Sequence, residues 1–217
     1  MNSLKKYTKK QLIVEILNSI SHGVGAVMGI VFLILMCIKG IKTFSPQITA
    51  SYAIYGSCFI FMFLASCVYH ATIFTKLKNF FRIFDHSAIF FFIAGSYTPI
   101  IISILQGKER IVFLALIWAI ALGGFLFKIL TYGKYDKYIK LSVFLYILMG
   151  WIAIFLIKPM VLKTAPEFLF CIVTGGIIYT LGTYFYKKKD DIMNHLIWHF
   201  FVLAAAICQF IGIYVYL

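Results

Sequence analysis

Two histidines near the carboxyl end of the chain are spaced to bind one metal ion. His195 and His199 are four residues apart, and on a helix that spacing places both side chains on one face with Cβ atoms about 5–6 Å apart. A third histidine, His70, follows Ser66 by the same interval on another apolar segment. Three histidines with one open position are typical of a catalytic zinc site. The sequence therefore predicts Zn²⁺ bound by His70, His195 and His199.

The elements that must position these residues are membrane-spanning helices. The chain is 63% hydrophobic with a mean hydropathy of +0.97, which leaves too little polar surface to coat a soluble protein. Apolar runs long enough to cross a bilayer are separated by charged or Gly/Pro-containing joints. We predict an all-α seven-transmembrane helix bundle with spans near residues 18–38, 49–73, 80–104, 111–131, 140–157, 166–186 and 192–216.

This composition predicts one domain over residues 1–217, which begins with a basic tail at 1–13. Most of the 20 Lys and Arg lie in the tail and in the joints on its side of the bundle. By the positive-inside rule the N-terminus is cytoplasmic and the C-terminus is outside. The basic residues are scattered among hydrophobic joints and form no single face, so we expect no nucleic acid partner. The predicted location is the cell membrane, with multiple spans and membrane lipids as partners.

Several polar side chains fall at the same ends of the spans as the histidines. Polar groups inside a membrane are costly, which makes them candidates for function. Asp85 and His86 open the third run, and Glu15, Asn18 and His22 open the first. The residues of the first run either support the metal site or cap and anchor an ordinary interfacial helix start.

Each candidate also has a simpler structural explanation when it is taken alone. His70 can hydrogen-bond to a neighbouring helix, Ser66 can bond back to its own helix carbonyl, and Asp85 can be a helix-start carboxylate favoured by the dipole. Their occurrence at one membrane depth on separate helices favours a joint site. By contrast, the pairs Gly123-Gly124 and Gly175-Gly176 are expected to mark a kink or close helix packing and not binding.

Four separated motifs resemble those of the hemolysin III branch of the progestin and adipoQ receptor superfamily. The resemblance runs from Glu15 into the last helix. The motifs are Glu15-Ile-Leu-Asn18-Ser-Ile-Ser-His22-Gly, Ser66-Cys-Val-Tyr-His70, Asp85-His-Ser-Ala continuing to Gly95-Ser-Tyr-Thr-Pro99, and His195-Leu-Ile-Trp-His199.

The resemblance implies zinc bound by the three histidines, with Ser66 and Asp85 close to the ion or its bound water. Zinc with an open position lowers the pKa of bound water to about 7 and polarises carbonyls. Asp85 would then be the general base, and Ser66 would orient the water or the developing oxyanion. Kinship with ceramidase-like membrane hydrolases implies a lipid amide substrate that arrives through the bilayer.

Two other classes of function remain open at this point. The family name records a pore-forming or hemolytic activity, which would need a continuous polar path. The middle and outer parts of the spans offer few polar residues, chiefly Ser57, Ser103, Thr180, Thr183 and Gln209. A zinc-stapled sensor or membrane-homeostasis protein would use the same ligands without catalysis. The sequence does not determine the substrate, the oligomeric state or a soluble partner.

Overall fold

The computed structural model describes residues 7–75, 77–188 and 191–217. Four of the basic residues used to predict orientation, Lys5, Lys6, Lys76 and Lys189, lie outside them. The described part of the chain is helical and contains no strand. The helices are α1 (Lys9–Lys42), α2 (Pro46–Ala71), α3 (Lys78–Ile104), α4 (Gly107–Leu130), α5 (Tyr135–Trp151), α6 (Ile157–Lys163), α7 (Pro166–Lys187) and α8 (Met193–Tyr216).

Seven segments are long and apolar enough to cross a membrane, which confirms the predicted seven spans. The largest difference is at the start of α1, which begins at Lys9 and not near residue 18. The Thr8 hydroxyl accepts from the Gln11 backbone N–H at 3.2 Å, and Gln11 Oε1 accepts from the Thr8 N–H at 2.9 Å. This capping box satisfies two otherwise unpaired donors of the first turn. Glu15 consequently lies on a helix that projects beyond the apolar run.

The fifth span is broken, which the sequence pattern did not indicate. A 3₁₀ segment over Ile152–Leu156 joins α5 to the short α6, and together they extend to Lys163, beyond the predicted end at 157. The Tyr97 hydroxyl of α3 donates to the carbonyl oxygens of Met149 (3.2 Å) and Gly150 (2.6 Å). Carbonyls at such a break need a partner in a membrane, and Tyr97 supplies it from the neighbouring helix.

Helix α3 lies at the centre of the bundle. In its most apolar window 67% of the residues are buried, against 22% for α4 and for the fifth span. α1 packs on α2, α2 on α3, α3 on α4 and α7 on α8, and contacts between α1 and α8 bring the first and last helices together. The ends of α2 and α8 that carry the three histidines therefore meet beside α1.

The glycine pairs behave largely as predicted, with one member of each at a close helix contact. A Cβ on Gly124 would lie 2.5 Å from Phe90 Cγ, and a Cβ on Gly175 would lie 2.6 Å from Gln209 Cγ. A Cβ on Gly123 would meet nothing within 4 Å. The glycine at 124 thus allows α4 to approach α3.

We expect Gly124→Ala to lower the free energy of unfolding by about 1–3 kcal/mol, because the added methyl group displaces the buried Phe90 ring from a packed position. Gly123→Ala is the matched control and should change stability little, since its Cβ points into open space. Thermal unfolding of the purified protein in detergent measures both. Equal midpoints for the two variants would contradict the packing role of Gly124.

Candidate metal centre

Three histidines from two helices meet at the end of the bundle that carries Tyr7. Each offers one ring nitrogen, and these three nitrogens lie within 4.8 Å of one another. The Nε2 atoms of His70 and His195 are 3.2 Å apart. Two nitrogens on a tetrahedral zinc ion with Zn–N bonds of 2.0–2.1 Å are separated by about 3.3 Å. The cluster therefore has the dimensions to hold one metal ion.

Helix α1 supports the ligand from α2. His70 Nδ1 lies 2.7 Å from Glu15 Oε2, and Lys78 Nζ donates to Glu15 Oε1 at 2.9 Å. A carboxylate accepting from Nδ1–H fixes the tautomer of an imidazole and leaves Nε2 free to bind metal. Glu15 is thus held between a histidine of the cluster and a lysine at the start of α3.

The same helix supports a ligand from α8. His199 Nδ1 lies 3.2 Å from the Asn18 carbonyl oxygen and 3.1 Å from Ser21 Oγ. The His22 ring stacks on the His199 ring with centroids 3.6 Å apart and planes 13° apart. Nε2 of His199 is thereby the nitrogen available to an ion. The structure brings Glu15, Asn18 and His22 to the cluster, and it adds Ser21, which the sequence analysis missed.

Ser66 and Asp85 lie beside the histidines and face a cavity. Ser66 and the largely buried Asp85 line this cavity together with His195 and His199. Asp85 is not a member of the three-nitrogen group. It is therefore placed to act on something in the cavity and not as a fourth ligand.

His86 is brought to the same region but not into the cluster. Its Nε2 lies 3.6 Å from Asp85 Oδ2, and its ring packs edge-on against Tyr135 with centroids 5.5 Å apart. The Tyr146 hydroxyl donates to the His86 carbonyl oxygen at 2.7 Å. His86 therefore borders the Asp85 carboxylate and does not approach the metal position.

One buried lysine near these residues was counted only for orientation in the sequence analysis. Lys128 of α4 is 2% exposed, and its Nζ donates to Ser142 Oγ at 2.6 Å. The same nitrogen lies 5.6 Å from the centroid of the Tyr146 ring. The sequence could have identified Lys128 as a candidate, because an ionisable residue inside an apolar run is a functional candidate.

Two cavities meet at the cluster. The first, which we call the apolar cavity, has a volume of about 360 Å³ and runs from Ser66 and Asp85 down the bundle to Met160 and Gln209. Its lining includes residues exposed on the outer face of the fifth span, such as Ile154 at 59%. It therefore reaches the surface that faces lipid.

The second cavity, which we call the vestibule, has a volume of about 300 Å³, and its lining includes charged residues and amides as well as tyrosines and histidines. Its rim includes Lys188 and Asp191, which are exposed. The Met193 backbone N–H donates to Asp191 at 3.0 Å and, with Lys10, holds the pKa of that carboxyl below its ordinary value. The vestibule opens at the end of the bundle, between α1 and the joint before α8.

We expect Glu15→Gln to weaken metal binding by about 10- to 100-fold, because loss of the partner charge lowers the basicity of the His70 ligand. Glu109→Gln, at an exposed position in the first turn of α4, is the matched control. Titration of the metal-free protein with a competing chelator measures both affinities. Wild-type affinity in Glu15→Gln would contradict the supporting role of the carboxylate.

The sequence of the chain matches a family of known proteins. A family model described as "Haemolysin-III related" matches residues 10–210. The chain is 36% identical to "Hemolysin-3" of Bacillus cereus, over 93% of this chain and 91% of that protein. It is 35% identical to the "Hemolysin-3 homolog" of Bacillus subtilis (strain 168), over 93% of each. It is 33% identical to the human "Monocyte to macrophage differentiation factor", over 76% of this chain and 69% of that protein.

Proposed function

Because the chain belongs to the hemolysin III family of multi-pass cell-membrane proteins, within the progestin and adipoQ receptor superfamily, we propose that it is a zinc-dependent hydrolase of a membrane lipid amide. One observation carries the proposal. Three histidine nitrogens that can hold a metal ion lie beside the Asp85 carboxylate at one end of an apolar cavity. A cavity that reaches the lipid-facing surface suits an acyl chain.

The donor set fits zinc. Imidazole nitrogen is a ligand for zinc, copper, iron and nickel, and three histidines with an open fourth position are the arrangement of catalytic zinc. The hydrogen bonds from Nδ1 of His70 and His199 to Glu15 Oε2 and the Asn18 carbonyl oxygen leave Nε2 free on both rings. When bound there, zinc would supply a water of lowered pKa and a Lewis acid for the amide carbonyl.

The chain's own residues would supply the proton transfers. Asp85 accepts a proton from the attacking water on one carboxylate oxygen, and later gives a proton to the departing amine nitrogen. Ser66 lies with Asp85 in the cavity wall and would orient the attacking water or the developing oxyanion. The apolar walls bind the acyl chain and exclude bulk water from the reacting carbonyl.

We also propose that the N-terminus faces the cytoplasm, because most Lys and Arg lie on its side of the bundle. The metal cluster would then lie near the cytoplasmic leaflet, with the vestibule open to the cytoplasm. Labelling of single cysteines introduced at Lys188 and Lys108 in intact cells measures the orientation. Lys188 should be protected from a membrane-impermeant reagent, and Lys108 should react.

The test of function is metal analysis of purified protein together with fatty acid release from a panel of lipid amides that includes ceramides. About one zinc per chain, with hydrolysis that a chelator abolishes and added zinc restores, is the expected result. Zinc without hydrolysis of any amide would favour a structural metal in a sensor or homeostasis protein. Absence of bound zinc from metal-replete protein would overturn the proposal.

A second function is suggested by the names of the Bacillus relatives, which describe hemolysins. Release of a trapped dye from lipid vesicles by the purified protein measures it. The apolar lining of the cavity between Asp85 and Met160 does not favour an ion path, so we expect leakage only at high protein-to-lipid ratios. Leakage at trace protein that does not depend on zinc would favour the pore.

A further inference from the structure

The two cavities at the metal cluster share part of their walls. His86, Tyr186 and His195 line both the apolar cavity and the vestibule. A ligand bound at the cluster can therefore extend in two directions, one into each cavity. The chemical character of the two cavities then indicates which parts of the ligand occupy them.

The apolar cavity suits one alkyl chain. Beyond the cluster its lining is dominated by Ile, Val, Leu, Met and aromatic side chains, including Met62, Phe92 and Ile147. Tyr97 and Thr180 of its wall have partners within the protein, since Tyr97 donates to Gly150 at 2.6 Å and Thr180 donates to Gly176 at 2.7 Å. A chain bound here leaves those two groups with their partners, whereas the buried Tyr179 hydroxyl has no hydrogen-bond partner among the described residues.

The vestibule is more polar than the apolar cavity. Val14, Ile139 and Ile192 are the aliphatic side chains of its lining. The remainder are tyrosines, histidines, amides and charged residues, among them Glu15, Arg82 and Asp191. An alkyl chain in this space would separate the charged side chains from water, which is unfavourable.

We propose that the ligand is an N-acyl conjugate of a small polar amine, with its acyl chain in the apolar cavity and its amine portion in the vestibule. This inference rests on the proposed amide hydrolysis and names the substrate class. A ceramide would have to place the alkyl chain of its long-chain base against the polar vestibule. An amino alcohol or amino acid fits inside the vestibule and can hydrogen-bond to its polar side chains.

The reaction implied is balanced by one water. The water oxygen forms a bond to the acyl carbon, the carbon–nitrogen bond of the amide breaks, and the amine nitrogen takes a proton. The fatty acid remains in the apolar cavity and leaves toward lipid. The small amine lies in the vestibule and leaves past Lys188 and Asp191 into water.

Equilibrium binding to zinc-loaded Asp85→Asn protein in detergent tests the inference without turnover. The probes share one acyl chain: hexadecanoic acid, N-hexadecanoylethanolamine, N-hexadecanoylglycine and N-hexadecanoylsphingosine. We expect one or both small-amine conjugates to bind at least about tenfold more tightly than the sphingosine conjugate, the effect of one or two additional hydrogen bonds. The ethanolamine and glycine probes distinguish a neutral amine from an acidic one.

Three matched tryptophan substitutions on α5 separate the two cavities. Ile139→Trp fills the vestibule and should weaken the preferred small-amine conjugate about tenfold, while it leaves hexadecanoic acid within about twofold. Ile147→Trp fills the apolar cavity and should weaken all four probes. Phe144 is 58% exposed, so Phe144→Trp should change none. Thermal midpoints and zinc content confirm that each variant is folded.

Two outcomes would overturn the inference. One is tighter binding of N-hexadecanoylsphingosine than of both small-amine conjugates. Faster hydrolysis of the sphingosine conjugate by the wild-type zinc protein would show the same preference. The other is loss of hexadecanoic acid and conjugate binding to the same extent in folded Ile139→Trp. Hydrolysis of ceramide would contradict the proposed ligand class but would still support an amide hydrolase. The expected order of binding without hydrolysis of any amide would support the ligand class but contradict the hydrolase.

Discussion

Alanine at His199 is expected to abolish stoichiometric metal binding. The imidazole supplies one of three nitrogens that lie within 4.8 Å of one another, and its removal leaves two ligands from different helices. Removal of a residue that hydrogen-bonds to a metal ligand lowers metal affinity by about 10- to 100-fold. Removal of the ligand itself should therefore lower metal affinity by more than about 100-fold. Purified His199→Ala should contain no metal above background.

The control for this variant is His86→Ala, which removes a buried histidine at the same end of the bundle. His86 approaches Asp85 and not the cluster, so its loss should leave the metal content near one per chain. Elemental analysis after removal of loosely bound metal measures both variants. A full equivalent of metal in His199→Ala, or none in folded His86→Ala, would show that the ligand set is wrong.

Asn at Asp85 is expected to abolish lipid amide hydrolysis while the metal remains bound. General acid–base catalysis contributes about 10²- to 10⁴-fold to rate, and the amide of asparagine cannot accept the proton. Because Asp85 lies outside the three-nitrogen group, zinc affinity should change by less than about tenfold. Ser66→Ala, which removes a hydroxyl from the cavity wall that also contains Asp85, should lower the rate by about tenfold.

Glu167→Gln is the matched control for the change at Asp85. Glu167 is an exposed carboxylate in the first turn of α7 and lines neither cavity. Its replacement should leave the maximal rate within about twofold, since surface substitutions away from a functional site change little. Retained hydrolysis in Asp85→Asn would exclude the carboxylate as the base. Loss of metal in that variant would show instead that Asp85 helps to hold the ion.

The tertiary structure changed the interpretation of α1 most. The sequence placed Glu15, Asn18 and His22 near the histidines in depth, but an anchored helix start explained them equally well. The hydrogen bond from His70 to Glu15 joins α2 to α1, and the stacking of His22 on His199 joins residues from opposite ends of the chain. Such contacts depend on how α1 lies against α2 and α8, and no local pattern encodes that arrangement.

The sequence by itself determined the membrane environment, the seven spans and the spacing of His195 and His199. Hydropathy and helical periodicity are local properties, so a stretch of about 20 residues is enough to show them. The sequence also predicted that His70 joins that pair, and the tertiary structure brings the three ring nitrogens within 4.8 Å of one another. Only the tertiary structure decided that the fifth span breaks at Ile152–Leu156 and that an apolar cavity and a more polar one meet at the cluster. Those features arise where side chains from distant segments share one volume, and helix packing alone sets which segments these are.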